Sequence, residues 1–186
     1  MTPVKAMEPR VSYSDLQRWP EDGRQYELYD GEVIVVPAPF PRHQRAVREL
    51  LRQLDEYART HGGEVLDSPL DIVFSEYDVL QPDVVFFQAS RRHLIQPDAA
   101  IRSAPDLAVE VLSPSTTERD RTKKMQTYAR YGVAEYWIID LPAQQIEVHV
   151  LTGGSFAPQQ TAGAAELVRS VVLPDFSVQA DVLFGD

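Results

Sequence analysis

The chain has 186 residues, enough for one sizeable hydrophobic core and short for two independent domains. At 44% hydrophobic and 25% charged it has the composition of an ordinary globular protein, and the lack of cysteine excludes disulfides and thiolate chemistry. Eighteen Lys and Arg against 28 Asp and Glu give a net charge of −10, so a partner that is a polyanion requires basic residues gathered on one face.

Ser12-Tyr13-Ser14-Asp15 has the form of a capping box, opening a short helix that Pro20 stops. Residues 25–28 and 32–36 alternate around Tyr29-Asp30-Gly31, and Asp-Gly suits a hairpin turn that needs positive φ at both positions. The implied register sets Tyr29 opposite Glu32, Leu28 opposite Val33 and Glu27 opposite Ile34. Glu27 then shares a face with Ile34, although the simpler reading is a solvated strand glutamate. Residues 42–61 repeat apolar side chains at helical spacing, with Pro41 suited to the first turn and Gly62-Gly63 ending the helix. His43 lies on the apolar face of that helix, while Arg45, Arg48 and Arg52 form a separate stripe.

Strands are expected at 64–66, 71–74 and 79–87, the last interrupted or bulged at Pro82. A short helix and loop follow over 89–104, and 107–112 reads as a buried strand with Ala108, Glu110 and Leu112 on one side. A helix over 120–131 closes at Gly132, strands follow at 135–139 and 145–151, and a hairpin-like tail has a strand at 167–173. The four histidines show no metal-ligand spacing, which argues against zinc. No apolar run approaches the ~20 residues of a membrane helix, and Met1-Thr2-Pro3-Val4-Lys5 lacks a signal-peptide core. The expectation is one domain over 1–186, soluble and cytoplasmic, with no membrane partner.

Two strand carboxylates, Asp83 and Glu110, followed by Lys124 on the next helix are the parts of a metal-dependent phosphodiester-cleaving site. A charged Glu110 amid Leu107, Val109, Val111 and Leu112 would be costly, and a divalent cation would remove that cost. Oxygen ligation by Asp83, Glu110 and the backbone carbonyl of Val111 favours Mg²⁺ or Mn²⁺. Lys124 would orient or deprotonate water, or neutralise charge on the reacting phosphate. Asp120 and Lys124, one helical step apart, are also compatible with a surface ion pair.

Pro82-Asp83, Glu110-Val111-Leu112-Ser113-Pro114-Ser115, Lys124, Tyr128 and Gly132-Val133-Ala134-Glu135-Tyr136-Trp137 together resemble the Uma-type family of bacterial restriction-endonuclease-like proteins. Tyr26-Glu27-Leu28-Tyr29-Asp30-Gly31-Glu32 and His43-Gln44 extend the likeness. The resemblance implies the P-D…(D/E)-x-K nuclease superfamily, an α/β (α+β) fold with a mixed β-sheet flanked by helices and an N-terminal β-hairpin. It further implies a homodimer acting on nucleic acid, DNA in the first place, with Glu27 and His43 bordering the catalytic Lys124. Leu112 stands where the lysine of E-x-K would be, and Lys124 matches a lysine moved to the following helix. The alternative is a non-catalytic nucleic-acid- or protein-binding regulatory domain on a degenerate nuclease fold. If nucleic acid is the partner, Arg42, Arg45, Arg48, Arg52, Arg119 and Arg121 are expected to form a positive rim around an acidic floor.

Overall fold

The computed structural model describes residues 9–185, so the Met1–Lys5 stretch considered above for targeting lies outside them. Its centre is a six-stranded mixed sheet in the order β10-β9-β8-β7-β6-β3. The strands are β3 (Glu64–Asp67), β6 (Val84–Phe87), β7 (Leu107–Val111), β8 (Glu135–Asp140), β9 (Gln145–Thr152) and β10 (Ser155–Gly163). Only β7 and β8 run parallel; every other neighbouring pair is antiparallel. A parallel step needs a crossover. Here the crossover is helical: α3 (Thr117–Arg119), a π-helical turn (Asp120–Lys124) and α4 (Met125–Tyr131), ended by Gly132 in the left-handed region.

Side-chain alternation decides what each face of β7 meets. Leu107, Val109 and Val111 pack with Ala46, Leu50 and Leu54 of α2 (Pro41–His61), which covers one face. Ala108 and Leu112 pack on the other side with Tyr29, Tyr128, Tyr136 and Ile138. Fully burying Leu50 and Leu54 contributes about 1.5–3 kcal/mol each. Packing therefore holds α2, whose N-terminus has Pro41 but no side-chain cap.

A second sheet, β2-β1-β5-β4, carries the N-terminal hairpin of β1 (Gln25–Tyr29) and β2 (Glu32–Val36) beside β5 (Val79–Leu80) and β4 (Ile72–Val73). The expected register holds, including Glu27 opposite Ile34. The capping box at Ser12 is also present, on α1 (Tyr13–Leu16). The turn uses φ of 50° at Asp30 and 81° at Gly31. A Cβ on Gly31 would lie 2.6 Å from Arg10 Cβ, whereas one on Gly23, also at positive φ, would meet nothing. Gly31→Ala is therefore expected to destabilise by at least about 1–2 kcal/mol in urea unfolding, and by more than Gly23→Ala.

Three expectations need correction. The strand over 79–87 is two strands in different sheets, because Pro82 has no N–H and the Gln81 N–H donates to Glu27 instead of to a ladder. Residues 155–163 form a strand that their Pro and Gln content concealed. It lies at the edge of the sheet with a register shift between Pro158 and Gln160, where a proline is tolerated. The helix expected from 120 begins at Thr117, and its first five expected residues are π-helical. The tail is a ribbon of β11 (Leu167–Arg169) and β12 (Ser177–Gln179), then α5 (Asp181–Phe184), which adds Leu183 and Phe184 to the α2 core. No helix of the described residues is long and apolar enough to cross a membrane.

Candidate functional site

The face of β7 opposite α2 carries Glu110, only 2% exposed. Its Oε1 accepts a 2.7 Å hydrogen bond from Tyr128 Oη, and its Oε2 lies 2.8 Å from Lys124 Nζ. Lys124 Nζ is also 3.1 Å from Glu27 Oε1 and 3.8 Å from Asp120 Oδ1. The crossover helix thus presses one lysine among three buried carboxylates. Glu27 is fully buried, against the expectation of a solvated side chain. It accepts from Tyr29 Oη and the Gln81 N–H, each at 2.9 Å. The reason is tertiary: the crossover brings Lys124 and Arg119 against Glu27, and local alternation cannot show that cover.

Asp83 stands at the entrance to β6. The β6–β7 register, continued one step past Val84 and Val109, sets Asp83 across from Glu110. Its Oδ2 accepts from the Val111 N–H at 2.7 Å and lies 3.0 Å from His43 Nε2. The amide of Val111 is therefore the group seen at Asp83, and its carbonyl was the group expected to take part. His43 enters from the first turn of α2, as its place on the apolar face allowed. Lys123, the neighbouring lysine, turns outward to Glu32 at 2.7 Å and is half exposed. All six residues expected at the site, Glu27, His43, Asp83, Glu110, Val111 and Lys124, come together. Five of them line a cleft of about 570 Å³, with Glu27 sealed behind Lys124.

Two further residues join the site: Asp120, and Arg119 from the expected rim. Asp120, taken as compatible with a surface pair, is 2% exposed, and its buried Oδ1 has no hydrogen-bond partner. Arg119 Nε is likewise buried without a hydrogen bond, 3.8 Å from Glu27 and 3.9 Å from Asp120. The only sequence signal was an acid four residues before Lys124, which most surface helices also offer. The π-helical turn brings Asp120 and Lys124 inward together, and such turns recur at functional sites.

The electrostatics follow from burial. Burial raises the Glu110 carboxyl well above its ordinary value; Lys124 opposes that, while Asp83, Asp120 and Glu27 add to it. Asp120 is raised as well, again chiefly by burial. For Lys124 burial works to lower the value, but Glu110, Glu27, Tyr29 and Asp120 outweigh it and hold it well above the usual lysine value. A lysine so held stays a cation at neutral pH, which favours charge neutralisation over proton abstraction among the roles foreseen for it.

With every acid ionised, Glu27, Asp83, Glu110 and Asp120 carry four negative charges against the two positive charges of Lys124 and Arg119. The excess of two matches one divalent cation, and the Asp120 Oδ1 is a buried acceptor with nothing to accept. Hard oxygen donors with this excess fit Mg²⁺ or Mn²⁺. Among the described residues no three His, Asp or Glu side chains converge as a ready metal cage. A cation here would therefore rest on fewer side chains, with main chain and water completing its shell.

Of the six arginines expected in a positive rim, three are held by partners within the chain, Arg119 is mostly buried beside Glu27 and Asp120, and Arg45 is exposed. Arg42 donates to the Leu141 carbonyl, Arg52 pairs with Glu49, and Arg121 bridges Glu147 and Asp140. Arg48 remains exposed at the cleft.

The same fold is found in the crystal structure of a protein described as a putative nuclease belonging to DUF820 from Anabaena variabilis ATCC 29413. The TM-score is 0.75 over 94% of this chain and 97% of that one, at 21% identity, a likeness of fold. No curated protein matches the chain. The Uma2 family model, described as "Putative restriction endonuclease", matches residues 13–182. A match across nearly the whole sequence, on the strands and helices that assemble this cleft, makes the chain a member of the Uma2 family.

Proposed function

We propose that this protein is a divalent-metal-dependent endonuclease that hydrolyses phosphodiester bonds in nucleic acid. The observation that carries the reading is a buried lysine, Lys124, shared by Glu27 and Glu110 and opening with Asp83 onto one cleft. Asp83 and Glu110, with the Val111 carbonyl, would hold Mg²⁺ or Mn²⁺. The ion would polarise a phosphate oxygen and lower the pKa of a water.

The remaining roles belong to the chain itself. Lys124 stays charged and offsets the negative charge that grows on the phosphate as water attacks. Glu27, anchored by Tyr29 and the Gln81 N–H, fixes Lys124. His43 and the Val111 N–H fix the Asp83 carboxylate, so His43 acts as a positioning residue. The homodimer implied by the resemblance belongs to the same proposal, with one site in each subunit.

Titration calorimetry with Mn²⁺ and Mg²⁺, run beside cleavage of single- and double-stranded DNA and RNA, tests the reading. Metal binding that is lost in Asp83→Asn, together with metal-dependent cleavage, is the expected result. Absence of cleavage of every substrate with metal bound would overturn it in favour of the non-catalytic alternative.

A further inference from the structure

One part of the cleft lining is apolar. Val36, Pro37, Pro39 and Phe40, from the segment joining the hairpin to α2, face the opening together with Val47 and Leu51 of the helix. Residues 37–40 are exposed, and Phe40, at 67%, is the most exposed of the large hydrophobic side chains among the described residues. An apolar surface so open to water costs free energy unless something covers it in function. It faces the same cleft as the carboxylates and Lys124, so whatever is attached to a phosphate reacting there must lie near it. Ser113, Ser115 and Thr116 give the lining a polar part as well.

The charges narrow what can enter. A duplex brings two phosphate strands, and a net charge of −10 repels them. Arg42, Arg52 and Arg121, which would have attracted a duplex from the rim, are held by partners within the chain. Arg48 remains exposed at the cleft, enough to meet one stretch of a single backbone, while Arg119 lines the cleft but lies mostly buried against Glu27 and Asp120. Proteins that bind single strands combine few backbone cations with aromatic faces on which bases stack. A volume of about 570 Å³ is enough for one or two nucleotides lying in the cleft.

We propose that the cleft takes an unpaired stretch of nucleic acid, with a base beside the reacting phosphate stacked on Phe40 and the adjoining backbone met by Arg48. This rests on the nuclease reading for the placement of the phosphate. Duplex would enter only where it has opened.

The test is fluorescence anisotropy with labelled oligo(dT), oligo(U) and a DNA duplex of equal length, in Ca²⁺ to hold the strands without turnover, beside Mg²⁺ cleavage assays. The single strands are expected to bind more tightly than the duplex, and the two oligomers separate DNA from RNA. Phe40→Ala should weaken single-strand binding by about 5- to 150-fold, and Phe40→Trp should retain it. Phe40 is exposed, so circular dichroism of both variants should match the parent. Single-strand binding that depends on Phe40 without cleavage would support the stacking site and overturn the nuclease. Duplex cleaved by the parent and by Phe40→Ala at equal rates would overturn the stacking site and leave the nuclease standing. Failure to bind any of the three probes would overturn the stacking site as well.

Discussion

Lys124→Ala should abolish metal-dependent cleavage, a loss of at least ~10²-fold, and should also weaken the fold. Removing the lysine strands Glu27, Glu110 and Asp120 in the interior with only Arg119 nearby. Losing one partner of a buried ion pair costs about 3–5 kcal/mol. The pH dependence identifies the cause. In the parent, the Lys124 value lies above its ordinary one, so its stabilisation is complete below the unfolded lysine value of ~10.4 and is lost as pH rises through the folded one. In the variant this alkaline loss should disappear. The stability deficit should instead shrink on acidification, as the stranded carboxyls take up protons. Lys123→Ala serves as the control: its exposed pair with Glu32 is worth about 0.2–1 kcal/mol, and cleavage should be unchanged. Equal losses of activity from the two alanine variants would show that the helix supplies only general positive charge.

Glu110→Gln should separate function from stability in the opposite sense. Burial holds the Glu110 carboxyl above its ordinary value, so its contribution favours the fold at low pH and declines as pH rises from ~4.3 towards the folded value. At neutral pH this buried acid is therefore a burden on the apo fold. Glutamine keeps the shape: its carbonyl can face Lys124 while its amide donates to Tyr128 Oη. The melting temperature of the metal-free variant should rise by about 2–4 °C, roughly 1 kcal/mol for a chain of this size. Calorimetric affinity for Mn²⁺ should fall at least about 10- to 100-fold, and cleavage should vanish. A fall in melting temperature with metal affinity intact would show that Glu110 is a structural partner of Lys124 and not a ligand.

Features that depend on local pattern were legible in the sequence. Asp30-Gly31 demands two positive φ values, and so fixes the hairpin register that pairs Glu27 with Ile34. Alternation along β7 separates Val109 and Val111, on the α2 side, from Glu110 on the other. Lys124 rather than Lys123 points inward, as the family resemblance implied. Gly132 ends the crossover helix where expected. Asp83 and Glu110 could be proposed from their strand settings, whereas Glu27 and His43 came from the family resemblance.

Tertiary structure decided what surrounds those side chains. Glu27 reads as an ordinary strand glutamate until the crossover helix covers it. Asp120 reads as half of a surface pair until a π-helical turn places it in the interior, with its Oδ1 lacking a hydrogen bond. The arginine rim looked available because spacing does not reveal that Glu147, Asp140 and Leu141 lie within reach of Arg121 and Arg42. The strand over 79–87 divides because a donor at Gln81 is claimed by a carboxylate some fifty residues away in sequence. Periodicity records which face a residue occupies, but burial and partner choice come from segments far apart in the chain that meet only when the sheet is built.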